Sequence, residues 1–114
     1  MKKGFPRPGA WLFTLMSLCF LAQDIEAAPI DVQRQQALIR LVRQDCGSCH
    51  GLTLQGGLGP PLTTAALHER SQELLSGVIL LGRPGTPMPP FAGIVNEAEA
   101  RWIAQRLLAG FPQE

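Results

Sequence analysis

Three residues in this 114-residue chain have a spacing that could do chemistry: Cys46, Cys49 and His50. They stand in Cys46-Gly47-Ser48-Cys49-His50, the C-x-x-C-H pattern through which c-type haem is attached. Two thiols one helical turn apart can each add to one of two neighbouring vinyl groups on a porphyrin edge. The following imidazole can then ligate the iron. Gly47 and Ser48 are small, so the backbone can approach the ring. Two other chemistries compete for these residues. A dithiol redox pair of the thioredoxin type needs a strand leading into a helix, whereas here a helical pattern leads in and a Gly-rich stretch follows. A zinc site built from Cys46, Cys49, His50 and His68 would need adjacent ligands at Cys49 and His50, which fits structural zinc spacing poorly.

Haem iron can take a second axial ligand. The candidate is Met88, in Gly82-Arg83-Pro84-Gly85-Thr86-Pro87-Met88-Pro89-Pro90-Phe91. A core methionine usually sits on a helix, as adaptable filler. This one sits between prolines that fix their own φ and restrict the residues before them. A stiff loop can hold a weak thioether against iron at low entropic cost. His68 is the rival ligand, but its surroundings, Leu67 and Glu69-Arg70, suggest an ordinary exposed histidine.

These residues need elements to position them. Leu38, Leu41 and Val42 recur at helical spacing, so a first helix is expected over Asp31 to Gln44, with Arg34, Arg40 and Arg43 in water. A second is expected from Ser71, a plausible N-cap, to Leu81, stopped by Gly82 and Pro84; a short strand at Val78 to Leu80 is the alternative. A third should start at Asn96, where Glu99 completes a capping-box pattern. It should run through Trp102, Ile103, Leu107 and Leu108 to Gly110. The fold class is therefore all-α. So short a domain buries little apolar surface, and one disulfide across three positions would close too small a loop to help much. A large cofactor at the centre is the better staple.

The N-terminus reads as a secretory signal. Lys2, Lys3 and Arg7 precede an apolar run from Trp11 to Ala22, which is shorter than the roughly 20 residues of a membrane span. Cleavage after Ala27 is expected, giving a signal peptide at 1–27 and one domain at 28–114. An uncleaved anchor is the alternative; a lipid attached at Cys19 is disfavoured by Leu18 before it. The domain would keep Cys46 and Cys49 as its only cysteines and Met88 as its only methionine. Its charges are seven Arg against seven Asp and Glu, with no Lys. The full chain carries a net charge of +1 and no basic run interleaved with aromatics, so nucleic-acid binding is not expected.

Taken in order, these features resemble the class I monohaem cytochromes c across the whole of 28–114. The resemblance implies helices wrapped around one haem. Gly59-Pro60-Pro61-Leu62 is similar to the family's Gly-Pro-x-Leu, which implies that the Pro60 carbonyl accepts a hydrogen bond from His50 and orients it. Pro84-Gly85-Thr86-Pro87-Met88 resembles the Met loop, which implies a Thr86 hydroxyl near a haem propionate and His50 and Met88 as axial ligands. Two departures stand out. The aromatic that often precedes a Leu in the last helix is replaced by Arg106, with Trp102 one turn back. The lysine ring of mitochondrial relatives is missing.

The short chain and its Thr-Pro-Met-Pro-Pro-Phe loop are similar to the small cytochromes encoded beside haem-d-containing nitrite reductases of denitrifying bacteria. This implies a monomeric periplasmic electron carrier rather than an enzyme, with haem c as cofactor, redox proteins as partners and nitrite reductase as a candidate acceptor. Alternatives are a role in maturing the reductase's haem, and a haem enzyme or gas sensor whose Met88 dissociates.

Overall fold

The computed structural model describes residues 28–112, with Met1 and Gly4. The expected signal peptide and its cleavage after Ala27 fall almost wholly outside the described residues. Helices alone make up the regular structure there: α1 (Val32–Leu41), α2 (Gly47–His50), α3 (Thr64–Leu67), α4 (Gln72–Leu81) and α5 (Glu97–Ala109). No described helix is long and apolar enough to cross a membrane.

The first helix starts as expected, with the Asp31 side chain accepting from the Arg34 N–H at 2.9 Å. It does not stop at Gln44. A π-helical turn over Val42–Cys46 carries the chain directly into α2. Gly47 N–H reaches the Val42 carbonyl, five residues back. The Ser48 hydroxyl donates to the Asp45 carbonyl at 2.7 Å, bracing the turn from the side. Asp45, Gly47 and Ser48 are weak helix formers and read as an ending. Here local hydrogen bonds and packing outweigh that propensity: Gly47 is buried, and a Cβ there would touch Leu52 Cα at 3.4 Å.

The expectations for α4 and α5 hold closely. The Ser71 hydroxyl caps α4 through the Leu74 N–H at 3.1 Å, and Val78 to Leu80 are helical rather than extended. Asn96 and Glu99 form both halves of a capping box at 2.9 Å each. Helix α3 has no counterpart among the expectations; Thr63 caps its four residues through the Ala66 N–H.

One core joins these pieces. Leu38 and Val42 of the first helical stretch cluster with Ala100, Ile103, Ala104 and Leu107 of α5, along with Leu54, Leu67, Ile79, Val95 and Phe111. Ala100 and Ala104 are fully buried, and their small side chains let the backbone of α5 come close to its neighbours. The two terminal helices are also tied at both ends. Arg34 donates through Nε and Nη2 to the Glu99 carboxylate at 2.5 and 3.1 Å. Arg43 donates to the Pro112 carbonyl and lies 5.5 Å from the Phe111 ring centroid. Where the class I pattern has an aromatic, the Arg106 guanidinium lies 5.2 Å over the Trp102 ring, so the departure becomes a cation–π pair on α5.

Candidate functional site

Three stretches of chain line a cavity of about 450 Å³, within the range of small-molecule and cofactor pockets. The first wall is Asp45, Cys46, Ser48, Cys49 and His50. The second is Leu58, Gly59 and Pro60. The third is Arg83, Thr86 to Pro89, and Phe91. All six residues singled out from sequence, Cys46, Cys49, His50, Pro60, Thr86 and Met88, line this one space. His68 does not. Its Nδ1 is 2.7 Å from the Ala65 carbonyl, and its side chain is 68% exposed. No group of three His, Cys, Asp or Glu side chains among the described residues converges as a metal cluster, which removes support from the zinc alternative.

Helical geometry puts Cys46 and Cys49 three residues apart, on one face. Both are free thiols; Cys46 is half-buried and Cys49 exposed. Burial, then the Asp45 charge, push the Cys46 thiol up to about 11. Catalytic dithiols have the opposite property, a depressed pKa that supplies thiolate near neutrality. This environment, and the helix rather than strand that precedes it, argue against the thioredoxin-type alternative.

His50 is the last residue of α2, and the chain beyond it folds back to hold it. Gly51 ends the helix with φ +88°. The Gly56 N–H then donates to the His50 carbonyl at 2.7 Å and the Gly59 N–H to the Cys49 carbonyl at 2.8 Å, satisfying carbonyls that the helix end leaves free. Leu54 adopts φ +60°, a conformation that bulky side chains avoid, and is 3% exposed; its burial offsets that strain. The loop delivers the Pro60 carbonyl to 2.6 Å from His50 Nδ1. A carbonyl only accepts, so Nδ1 carries the proton and Nε2 presents its lone pair. Gly59 lies against the ring: a Cβ there would be 2.8 Å from Cε1 and 2.9 Å from Nδ1.

The Met88 loop is closed at both ends on α4. Arg83-Pro84-Gly85-Thr86 turns with the Thr86 N–H donating to the Arg83 carbonyl at 3.0 Å and Gly85 at φ +79°, the arrangement of a type II turn. The Thr86 hydroxyl also donates to the Arg83 carbonyl, at 2.7 Å. Pro89 and Pro90 have no N–H, so Phe91 is the first residue past Met88 able to donate. It does so to Ile79, and Ala92 to Leu80, filling carbonyls at the open end of α4. Gly82 is required where the loop folds back, since a Cβ there would fall 2.7 Å from the Met88 carbonyl.

Comparison with known proteins gives these residues a family. A model of the family described as cytochrome C oxidase, cbb3-type, subunit III matches residues 33–105. Cytochrome c55X of Paracoccus denitrificans is 56% identical over 91 residues, covering 80% of this chain and 88% of that protein. The Pseudomonas aeruginosa cytochrome c55X is 54% identical over 80 residues, covering 70% and 67%. The chain belongs to the cytochrome c55X family. A solved structure of the c-type cytochrome NirC is 51% identical, covers 72% of this chain and 96% of that one, and has a TM-score of 0.70. Part of a much longer protein is similar too. The dihydro-heme d1 dehydrogenase of Pseudomonas aeruginosa is 39% identical over 74 residues, which are 65% of this chain and 15% of that one.

As a c55X-type cytochrome the chain is an electron carrier that uses haem c and has redox proteins as partners. The cavity suits that group. Its walls are predominantly apolar, it carries two free thiols on one helix face, and it has nitrogen and thioether donors on different walls. Sequence reasoning missed Gly59, Gly82 and Arg83 as parts of the site. Gly59 was visible only as a piece of the Gly-Pro motif, and Gly82 only as a helix stop. Arg83 gave no local signal.

Proposed function

We propose that this c55X-family cytochrome holds one haem covalently through Cys46 and Cys49, with His50 and Met88 as axial ligands. The observation that carries the reading is the convergence on one cavity of a dithiol–imidazole turn and a lone methionine, each held by its own hydrogen-bonded loop. Bound haem supplies exchange of one electron between ferrous and ferric iron. The chain's residues do the rest. The thiols anchor the porphyrin edge, Pro60 fixes the imidazole tautomer, and the closed loop presents Met88. Thr86 stands on the propionate side and holds the Met88 loop, its hydroxyl donating to the Arg83 carbonyl and accepting from the Met88 N–H. Methionine ligation and apolar walls favour the reduced state and so a relatively high potential. With both axial positions filled, substrate has no open position, and the protein is a carrier rather than an enzyme.

After removal of residues 1–27, the domain works as a periplasmic monomer. Its acceptor is nitrite reductase, reached by a small, weakly charged contact around the haem edge. The kinship with dihydro-heme d1 dehydrogenase favours a second reading, in which the carrier exchanges electrons with the machinery that matures the reductase's haem. Stopped-flow mixing of the reduced cytochrome with nitrite reductase, across a salt series, tests the donor role. Fast transfer with shallow salt dependence supports it, because a steered pair of opposite charges would slow steeply with salt. Transfer too slow for turnover puts the maturation role first. Carbon monoxide binding to the reduced parent would instead indicate a labile Met88 and a sensor or enzyme.

A further inference from the structure

Seven arginines lie in the described residues, and four have a defined partner. Arg34 holds Glu99, Arg101 holds Glu97 at 2.7 Å, Arg43 holds Pro112 and Phe111, and Arg106 covers Trp102. Arg40, Arg70 and Arg83 make no side-chain hydrogen bond or ion pair among the described residues, and of these only Arg83 lines the cavity. It is the one cationic residue there. Its backbone is pinned on both sides: its N–H donates to the Met88 carbonyl at 3.2 Å, and its carbonyl accepts from the Thr86 N–H and hydroxyl. The Cα is therefore fixed at the cavity wall while the guanidinium is unspent. The only other charged residue of the lining, Asp45, neighbours Cys46 on the thiol wall.

We propose that Arg83 is the residue that binds the carboxylates of the cavity's porphyrin, an inference that rests on the haem assignment above. Haem carries two carboxylates on the edge away from its vinyl groups. With the vinyl edge tied to Cys46 and Cys49, the carboxylate edge turns away from the thiol wall and from Asp45. A guanidinium has the fork geometry for a bidentate, charge-assisted bond to a carboxylate. Thr86 cannot supply that donor, because its hydroxyl proton is spent on Arg83 O. Pairing would offset negative charge near the iron, so Arg83 also raises the reduction potential.

The test compares holoprotein carrying Arg83→Gln, Arg83→Lys or Arg70→Gln with the parent. Arg70→Gln removes the same charge outside the cavity. Two readouts are taken: the midpoint potential at low and at about 0.5 M salt, and the propionate bending band in resonance Raman. The expected result is that Arg83→Gln lowers the potential more than Arg70→Gln at both salt concentrations and moves the propionate band. Arg83→Lys should restore most of the potential. An Arg83→Gln shift no larger than that of Arg70→Gln, or an unmoved propionate band, overturns the assignment. Failure of the parent itself to retain haem in denaturant would instead overturn the haem-attachment reading.

Discussion

Replacing Gly59 with Ala tests how the His50 imidazole is held. The new methyl carbon would sit 2.8 Å from His50 Cε1, 2.9 Å from Nδ1 and 3.3 Å from Cγ. Ordinary contact begins near 3.4 Å, so ring and loop must separate by at least about 0.6 Å. Neither side has much freedom. The ring is bonded to the Pro60 carbonyl at 2.6 Å, and the Gly59 N–H is bonded to the Cys49 carbonyl at 2.8 Å. Gly59 is not among the glycines with positive φ, so the substitution adds contact strain without backbone strain. Overpacking of this kind costs about 1–3 kcal/mol. The shift should also weaken the His50–Pro60 bond, and loss of such outer support commonly weakens metal binding about 10- to 100-fold. Denaturant unfolding of the oxidised holoprotein should show the loss of stability, and the midpoint potential should move as the imidazole tilts. A variant with the parent's midpoint of unfolding and the parent's potential would refute the tight Gly59–His50 contact.

Gly77, in the middle of α4, has open space where a Cβ would go, so Gly77→Ala should stabilise the fold by about 0.5–1 kcal/mol in the same unfolding assay. Met88→Ala should keep the colour, lower the potential, and turn a reduced protein that ignores carbon monoxide into one that binds it stoichiometrically, as seen by optical titration. The Arg34 guanidinium, hydrogen-bonded to Glu99, holds that carboxyl below the usual range against the opposing effect of burial. A depressed folded-state pKa stabilises above the unfolded value and is lost as pH falls through the folded one. Glu99→Gln should therefore be less stable than the parent near neutral pH, with the difference shrinking below about pH 4 in a series of unfolding curves. Double replacement of Cys46 and Cys49 by Ala should let acid–organic solvent strip the colour, which it should not do from the parent.

Much of this molecule is legible in its sequence, because its strongest signals are local. Ser71 and Asn96 marked the starts of α4 and α5 through side-chain caps that act within three residues. Cys46, Cys49, His50 and Met88 were visible because each is a rare residue type in a constrained setting. What sequence hid depends on contacts between distant stretches. Asp45, Gly47 and Ser48 look like a helix end, yet the π turn and the Ser48–Asp45 bond carry the helix through them. The four residues of α3 are too few for a periodic pattern to register. Gly59 and Gly82 are glycines for reasons found only in three dimensions: one lies against the His50 ring, the other against the returning Met88 loop. Arg83 resembles any surface arginine until the cavity wall is drawn.

The proposed covalent attachment of a single haem at Cys46 and Cys49 is tested most directly by the mass of the purified periplasmic protein under denaturing conditions. The expected result is a polypeptide beginning at Ala28 that carries the added mass of one haem, retained in acid and organic solvent. A bare polypeptide, whether with two free thiols or with Cys46 and Cys49 joined as a disulfide, would contradict it.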